Sequence, residues 1–178
     1  METKIMYFAR IEVRRNYWVS SQKYATMAEL LTAMTDYLDD FAEAQQTTRE
    51  GAVEGLKRQY DGYHFTWPSP DIFNPFSLLN AFQDRDYTNY WFSSGTPTYL
   101  IEMLRKFNVV PSDISQMQVL SSDFDAPTEN MASITPLLYQ SGYVTIKDYD
   151  RASRLYTLDI PNTEIRVGLM ESLLPNYV

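Results

Sequence analysis

The sequence predicts a mainly α fold with a small β-hairpin, and three observations lead there. Apolar residues at Met27, Leu30, Leu31, Met34, Leu38 and Phe41 keep the 3.6-residue period of one helix face. Capping signals of the Ser/Thr/Asn type stand before several such stretches. Dense β-formers occur as a pair of short runs, Tyr143 to Tyr149 and Arg154 to Leu158, joined by the turn Asp150 to Ser153.

In chain order, residues 1–23 are poorly placed. Ile11 and Val13 alternate with Glu12 and Arg14, as in a short strand that could belong to a larger sheet. The next segment, 24–90, reads as a helical subdomain. Its first helix opens with the capping box Thr26/Glu29. Asp36, Asp39, Asp40 and Glu43 lie on its polar side and read as a solvated face, because a hard-cation site needs oxygens converging from a loop. A second capping box, Thr47 with Glu50, opens a helix carrying Val53, Leu56 and Tyr60, weakened by Gly51 and Gly55. An aromatic loop follows, QYDGYHFTWPSP, turning at Asp61-Gly62 and packing two helices together. Asn74-Pro75 caps and starts a third helix with Phe76, Leu79 and Phe82 as its apolar face.

Residues 91–178 read as a winged-helix-like subdomain. The stretch WFSSGTPTYLIEML turns at a Gly95-Thr96-Pro97 elbow into a helix with Leu100, Ile101, Leu104 and Phe107 on one side. Thr96 is its cap, and Pro97 at the first position removes an N–H that would be unpaired anyway. The elbow has two readings: a well-capped buried helix start, or backbone that a ligand can approach closely. A short helix is expected from Pro111 to Met117, extended chain from Gln118 to Phe124, and a helix from Glu129 to Ser141 closed by Gly142. Pro136 requires that helix either to kink or to start near Thr135. After the hairpin, Pro161-Asn162 begins a last helix with Ile165, Leu169 and Leu173 on one face. Helices followed by a hairpin make the winged-helix-like order.

Composition narrows the function classes. The 178 residues are 44% hydrophobic and 15% aromatic, enough for a packed core in one domain or two small ones. A net charge of −8 opposes binding to phosphate backbones without a local basic patch. With no Cys there is no disulfide and no thiolate metal site, and one histidine, His64, excludes a His-based metal cage. Asp61 with His64 could act as a base pair for a hydroxyl nucleophile, but no nucleophile elbow stands nearby, so His64 reads as a packed or exposed residue and no catalytic residue is assigned. Neither G-x-x-x-x-G-K-[ST] nor G-x-G-x-x-G is present. The first ten residues lack the apolar core of a signal peptide, and no run reaches the length of a membrane span, so a cytoplasmic location is expected.

Four ordered motifs carry a resemblance. They are Tyr60-Asp61-Gly62-Tyr63-His64-Phe65; Phe73-Asn74-Pro75-Phe76-Ser77-Leu78-Leu79-Asn80; Tyr90-Trp91-Phe92 with Gly95-Thr96-Pro97-Thr98-Tyr99-Leu100-Ile101; and Gly142-Tyr143-Val144-Thr145-Ile146 with Tyr156-Thr157-Leu158-Asp159-Ile160-Pro161-Asn162. Over residues 24–178 the chain resembles an AAA-ATPase-like family of bacterial proteins of uncertain function. The resemblance implies a P-loop core upstream that binds ATP with Mg, and often a PD-(D/E)XK nuclease-like domain downstream. This chain would then be the helical lid-type bundle and winged-helix-like end, holding no cofactor alone and coupling the nucleotide state of that core to a conformational change. By the same resemblance Gly95, Thr96, Pro97 and, more weakly, Tyr99 would contact adenine once the core is present. Two other readings stand beside it. A self-association or protein-interaction module would use the many aromatics. A DNA-binding winged helix is opposed by charge, since residues 128–178 hold four basic side chains (Lys147, Arg151, Arg154, Arg166) against six acidic ones (Glu129, Asp148, Asp150, Asp159, Glu164, Glu171).

Overall fold

The computed structural model describes residues 34–93, 98–128 and 131–177. The described elements are α1 (Thr35–Ala44), α2 (Arg49–Tyr60), α3 (Pro75–Asp84), α4 (Tyr90–Ser93), α5 (Thr98–Lys106), a single 3-10 turn (Pro111–Ile114), β1 (Met117–Val119), α6 (Ser121–Phe124), α7 (Thr135–Gln140), β2 (Thr145–Asp150), β3 (Leu155–Asp159) and α8 (Thr163–Tyr177). The expected N-terminal strand, the Thr26/Glu29 cap, the Gly95-Thr96-Pro97 elbow and the Glu129 start lie outside the described residues.

Among the described residues helices dominate, with one small antiparallel sheet. The expected hairpin is there, and β1 adds a third strand, in the order β1-β3-β2. The segment expected to be extended from Gln118 to Phe124 is strand only to Val119. Leu120 then ends the strand, and its backbone N–H donates to the Asp123 carboxylate, which turns the chain into α6. A back-bonding acid three residues on is a helix-start device that the β-rich neighbours concealed. Pro136 is resolved by a start at Thr135, where a proline in the first turn costs no hydrogen bond.

One start and one buried face differ from expectation. The cap of α2 is Thr48, whose hydroxyl accepts from Gly51 N at 3.1 Å, so Thr47/Glu50 is one residue early. In α3 the buried face is Ser77, Leu78, Ala81 and Phe82, and Phe76 is 43% exposed. The cause is polar. Asn74 Oδ1 accepts from the amides of Phe76 and Ser77, and Asn74 Nδ2 donates to Ser77 Oγ at 2.9 Å. This rotates the serine inward and the phenylalanine out.

Two buried clusters form. One joins α1, α2 and α3 through Leu38, Phe41, Leu56, Phe73, Leu78, Phe82 and Tyr90. The other surrounds α8 with Trp91, Leu100, Leu104, Ile114, Leu138, Val144, Leu158, Ile165, Leu169 and Leu173. The clusters part between Tyr90 and Trp91, while Tyr63 reaches from the first region into the second.

Candidate functional site

The place where these clusters meet is polar, and the motif residues gather there. Helix α2 ends at Tyr60, and Asp61-Gly62 turns the chain against the start of α8. Gly62 has φ +96, and a Cβ there would stand 2.5 Å from the Pro161 carbonyl oxygen, so only glycine allows this approach. Asn162 works in two directions. Its Nδ2 donates to the Asp61 carbonyl at 3.0 Å, and its Oδ1 accepts from Ile165 N at 3.1 Å, capping α8.

Lys147 closes the same junction. The register of β2 against β3 shifts between Ile146 and Asp148, so Lys147 sits in a bulge. Bulges re-aim side chains, and this one sends Nζ to the carbonyl oxygens of Gly62 and Pro161. Burial lowers the Lys147 pKa, against opposing attraction from Asp71, Asp159 and Asp61.

The next residues stitch the loop to the sheet. Tyr63 pairs with Ile72 in a two-way backbone bridge at 3.1 Å, and its hydroxyl donates to the Gly142 carbonyl at 3.2 Å. His64 N donates to Thr145 Oγ1, whose hydroxyl donates back to the His64 carbonyl, both at 2.7 Å. The His64 ring is buried edge-on against Trp67, with Nε2 2.8 Å from Asp71 Oδ1 and Nδ1 3.0 Å from Ser69 Oγ. Asp71, rather than Asp61, is therefore the acid beside this imidazole. Ser69 Oγ also lies 2.9 Å from the Thr66 carbonyl, where it donates, so its contacts are those of a loop brace.

Tyr60, Asn74 and Trp91 complete the seam. Asn74 N donates to the Tyr60 carbonyl at 2.9 Å. The Tyr60 hydroxyl donates to Thr88 O and accepts from Thr88 N. Pro75 takes the first position of α3. Trp91 N donates to Glu164 Oε1 at 2.9 Å, so a side chain from the first turn of α8 holds the start of α4. Glu164 is 0% exposed, and burial pushes its carboxyl up to about 7, against the lowering effect of the Trp91 amide bond and of the neighbouring donors of Ser77, Tyr90 and Asn74. Asp61 is 7% exposed and is pushed up to about 6, by burial first and by the nearby Asp71 charge.

Seven motif residues from the sequence (Tyr60, Asp61, Gly62, Tyr63, Asn74, Pro75, Trp91) are thus brought to one seam or to the helix starts that flank it. Of the four elbow residues, Gly95, Thr96 and Pro97 lie outside the described residues, and Tyr99 is 52% exposed on the first turn of α5. Sequence reasoning missed Glu164, Asn162, Lys147 and Thr145 as members of the seam. The Pro161-Asn162 helix start marked the position, but only three-dimensional proximity pairs it with Asp61. Among the described residues no group of three or more His, Cys, Asp or Glu side chains could hold a metal ion, and no helix is long and apolar enough to cross a membrane.

The chain is 34% identical over 125 residues, 69% of its length, to "Uncharacterized protein in vnfD 5'region" of Azotobacter chroococcum mcd 1. It spans about a quarter of that relative, which the match covers over 24% of its length. No family model matches the chain. No solved structure matches it.

Proposed function

We propose that this chain is the non-catalytic lid and winged-helix-like portion of an AAA-ATPase-like protein, transmitting the nucleotide state of a P-loop core to whatever the protein moves. The observation that carries the reading is the seam. Residues from four sequence motifs are engaged in bonding two cores to each other, which is what a body that must move as a unit requires. The winged-helix-like part of the reading is supported by the order α5-β1-α6-α7-β2-β3 and the strand order β1-β3-β2. ATP with Mg would be bound by the core, and Gly95, Thr96, Pro97 and Tyr99 would meet the adenine. A glycine permits close approach there, and a proline presents no competing donor.

A DNA-binding use is disfavoured because α7, the helix a winged helix would insert, reads TPLLYQ and carries no basic residue. Self-association is the second reading. It is favoured by exposed Tyr37, Phe76, Tyr99, Val110, Leu120 and Val167, and a sedimentation coefficient that rises with concentration would support it. The deciding experiment is ATP calorimetry on this chain and on a version extended upstream, each with Pro97 present or replaced by Ala. Binding only by the extended form, weakened by Pro97→Ala, is expected. Absence of binding in both forms would overturn the ATPase reading.

A further inference from the structure

The proposed function makes no use of the ionisation of two carboxyl groups at the seam. Each is at least nine-tenths buried, and each has one oxygen, Asp61 Oδ1 and Glu164 Oε2, that accepts no hydrogen bond among the described residues. A desolvated carboxylate oxygen without a donor is costly, and the simplest remedy is a proton. Among the described residues, the groups acting on the Glu164 charge include no cation. Glu164 is faced by Tyr60 from α2, Tyr63 from the following turn, Asn74 at the cap of α3, Ser77 from α3, and the amides of Tyr90 and Trp91 from α4. Both tyrosines are held neutral, their hydroxyl pKa values raised first by burial and further by the Glu164 charge. Asp61 faces Asp71, which opposes its ionisation, and Lys57 and Lys147, which favour it.

We infer that Glu164, with Asp61 assisting, makes the seam a proton-operated joint: protonated, it locks α4 and α8 together, and ionised, it loosens them. This goes beyond nucleotide coupling and does not depend on it. The direction follows from linkage. Both groups bind protons more tightly in the fold than their ordinary values of 4.5 and 3.8. Between those values and about 7 for Glu164, or about 6 for Asp61, the unfolded or opened chain is already ionised while the closed joint stays neutral. Stability from this source is therefore lost as pH rises through that window, and stays lost above it. Exposed Asp150, held low by the Ser153 hydroxyl, acts on the acid side of 3.8, outside the window.

The test is amide hydrogen exchange on the whole chain between about pH 5.5 and about pH 8.5, corrected for intrinsic exchange. Protection of α4 and the first turns of α8 should fall on the order of a hundredfold, mostly between about pH 5.5 and about 7, and level off above that. Glu164→Gln, which keeps the Oε1 acceptor for Trp91 N, should abolish most of that fall. Asp61→Asn should remove its lower-pH part. A wild-type profile without the fall, or the same fall in Glu164→Gln, overturns the inference. Should the glutamine variant not fold, the 13C carboxyl titration of Glu164 in the unsubstituted chain decides. A midpoint near 7 sustains the joint and one near 4.5 overturns it.

Discussion

The two cores are built differently. The smaller one, around Phe41 and Phe82, is made by helices adjacent in sequence, and its rings meet edge-on, Phe41 against Phe82 at 5.8 Å and against Tyr87 at 5.0 Å. Its surface carries exposed ion pairs, Arg49 with Asp39 and Arg85 with Asp40. The larger core draws α5, the sheet and α8 from distant parts of the chain around Leu104, Leu158 and Leu169. Local packing can form early and open alone, whereas a core assembled from distant segments depends on every connection that closes it. The seam therefore matters more to the larger core than to the smaller.

The sharpest way to break that asymmetry is Gly62→Ala. The new Cβ would meet a backbone carbonyl at a positive φ, and a loss of about 4 kcal/mol is expected by chemical denaturation, with both cores affected. Gly142→Ala is the control: φ is +75 but the nearest atom is 3.7 Å away, so only strain of about 1 kcal/mol is expected. Next come the cores themselves. Phe41→Ala and Leu169→Ala should each cost about 3 kcal/mol. Exchange protection should fall in α1 to α3 alone for the first, and throughout the seam for the second, and identical patterns would erase the distinction between the cores. Asn162→Ala removes one cap and one bond to Asp61 and should cost about 1–2 kcal/mol, read from the same denaturation curves. The smallest effect belongs to Arg49→Ala, since both partners of its ion pair are exposed. Its thermal midpoint should stay within experimental error of the parent.

Legibility varied with the range of the cause. Leu100, Ile101 and Leu104 were readable as one helix face because a buried stripe repeats every turn, and they are buried. Phe76 misled because its place was decided by Asn74 and Ser77, a polar arrangement that hydrophobic spacing does not register. Strand β1 was only partly readable, as extended chain at Gln118 and Val119, with Met117 expected in a helix, because three residues carry little pattern. Its pairing with β3, Met117 with Leu158 and Val119 with Tyr156, spans some forty residues of sequence. Helix glycines show the same limit. Gly55 reads as a weak point, yet its missing Cβ makes room for the Tyr87 ring, and Gly168 does so for Phe92.

By itself the sequence determined the helical character, the hairpin, the Asn74 and Asn162 helix starts and the turn at Asp61-Gly62, since each follows from propensity, capping or periodicity within a few residues. The tertiary structure alone decided that the turn lies under Pro161, that a bulge swings Lys147 onto Gly62, and that Glu164 is buried against Trp91. These depend on separations of about 15 to 100 residues in the chain, where only the packing of one element on another specifies which partners meet.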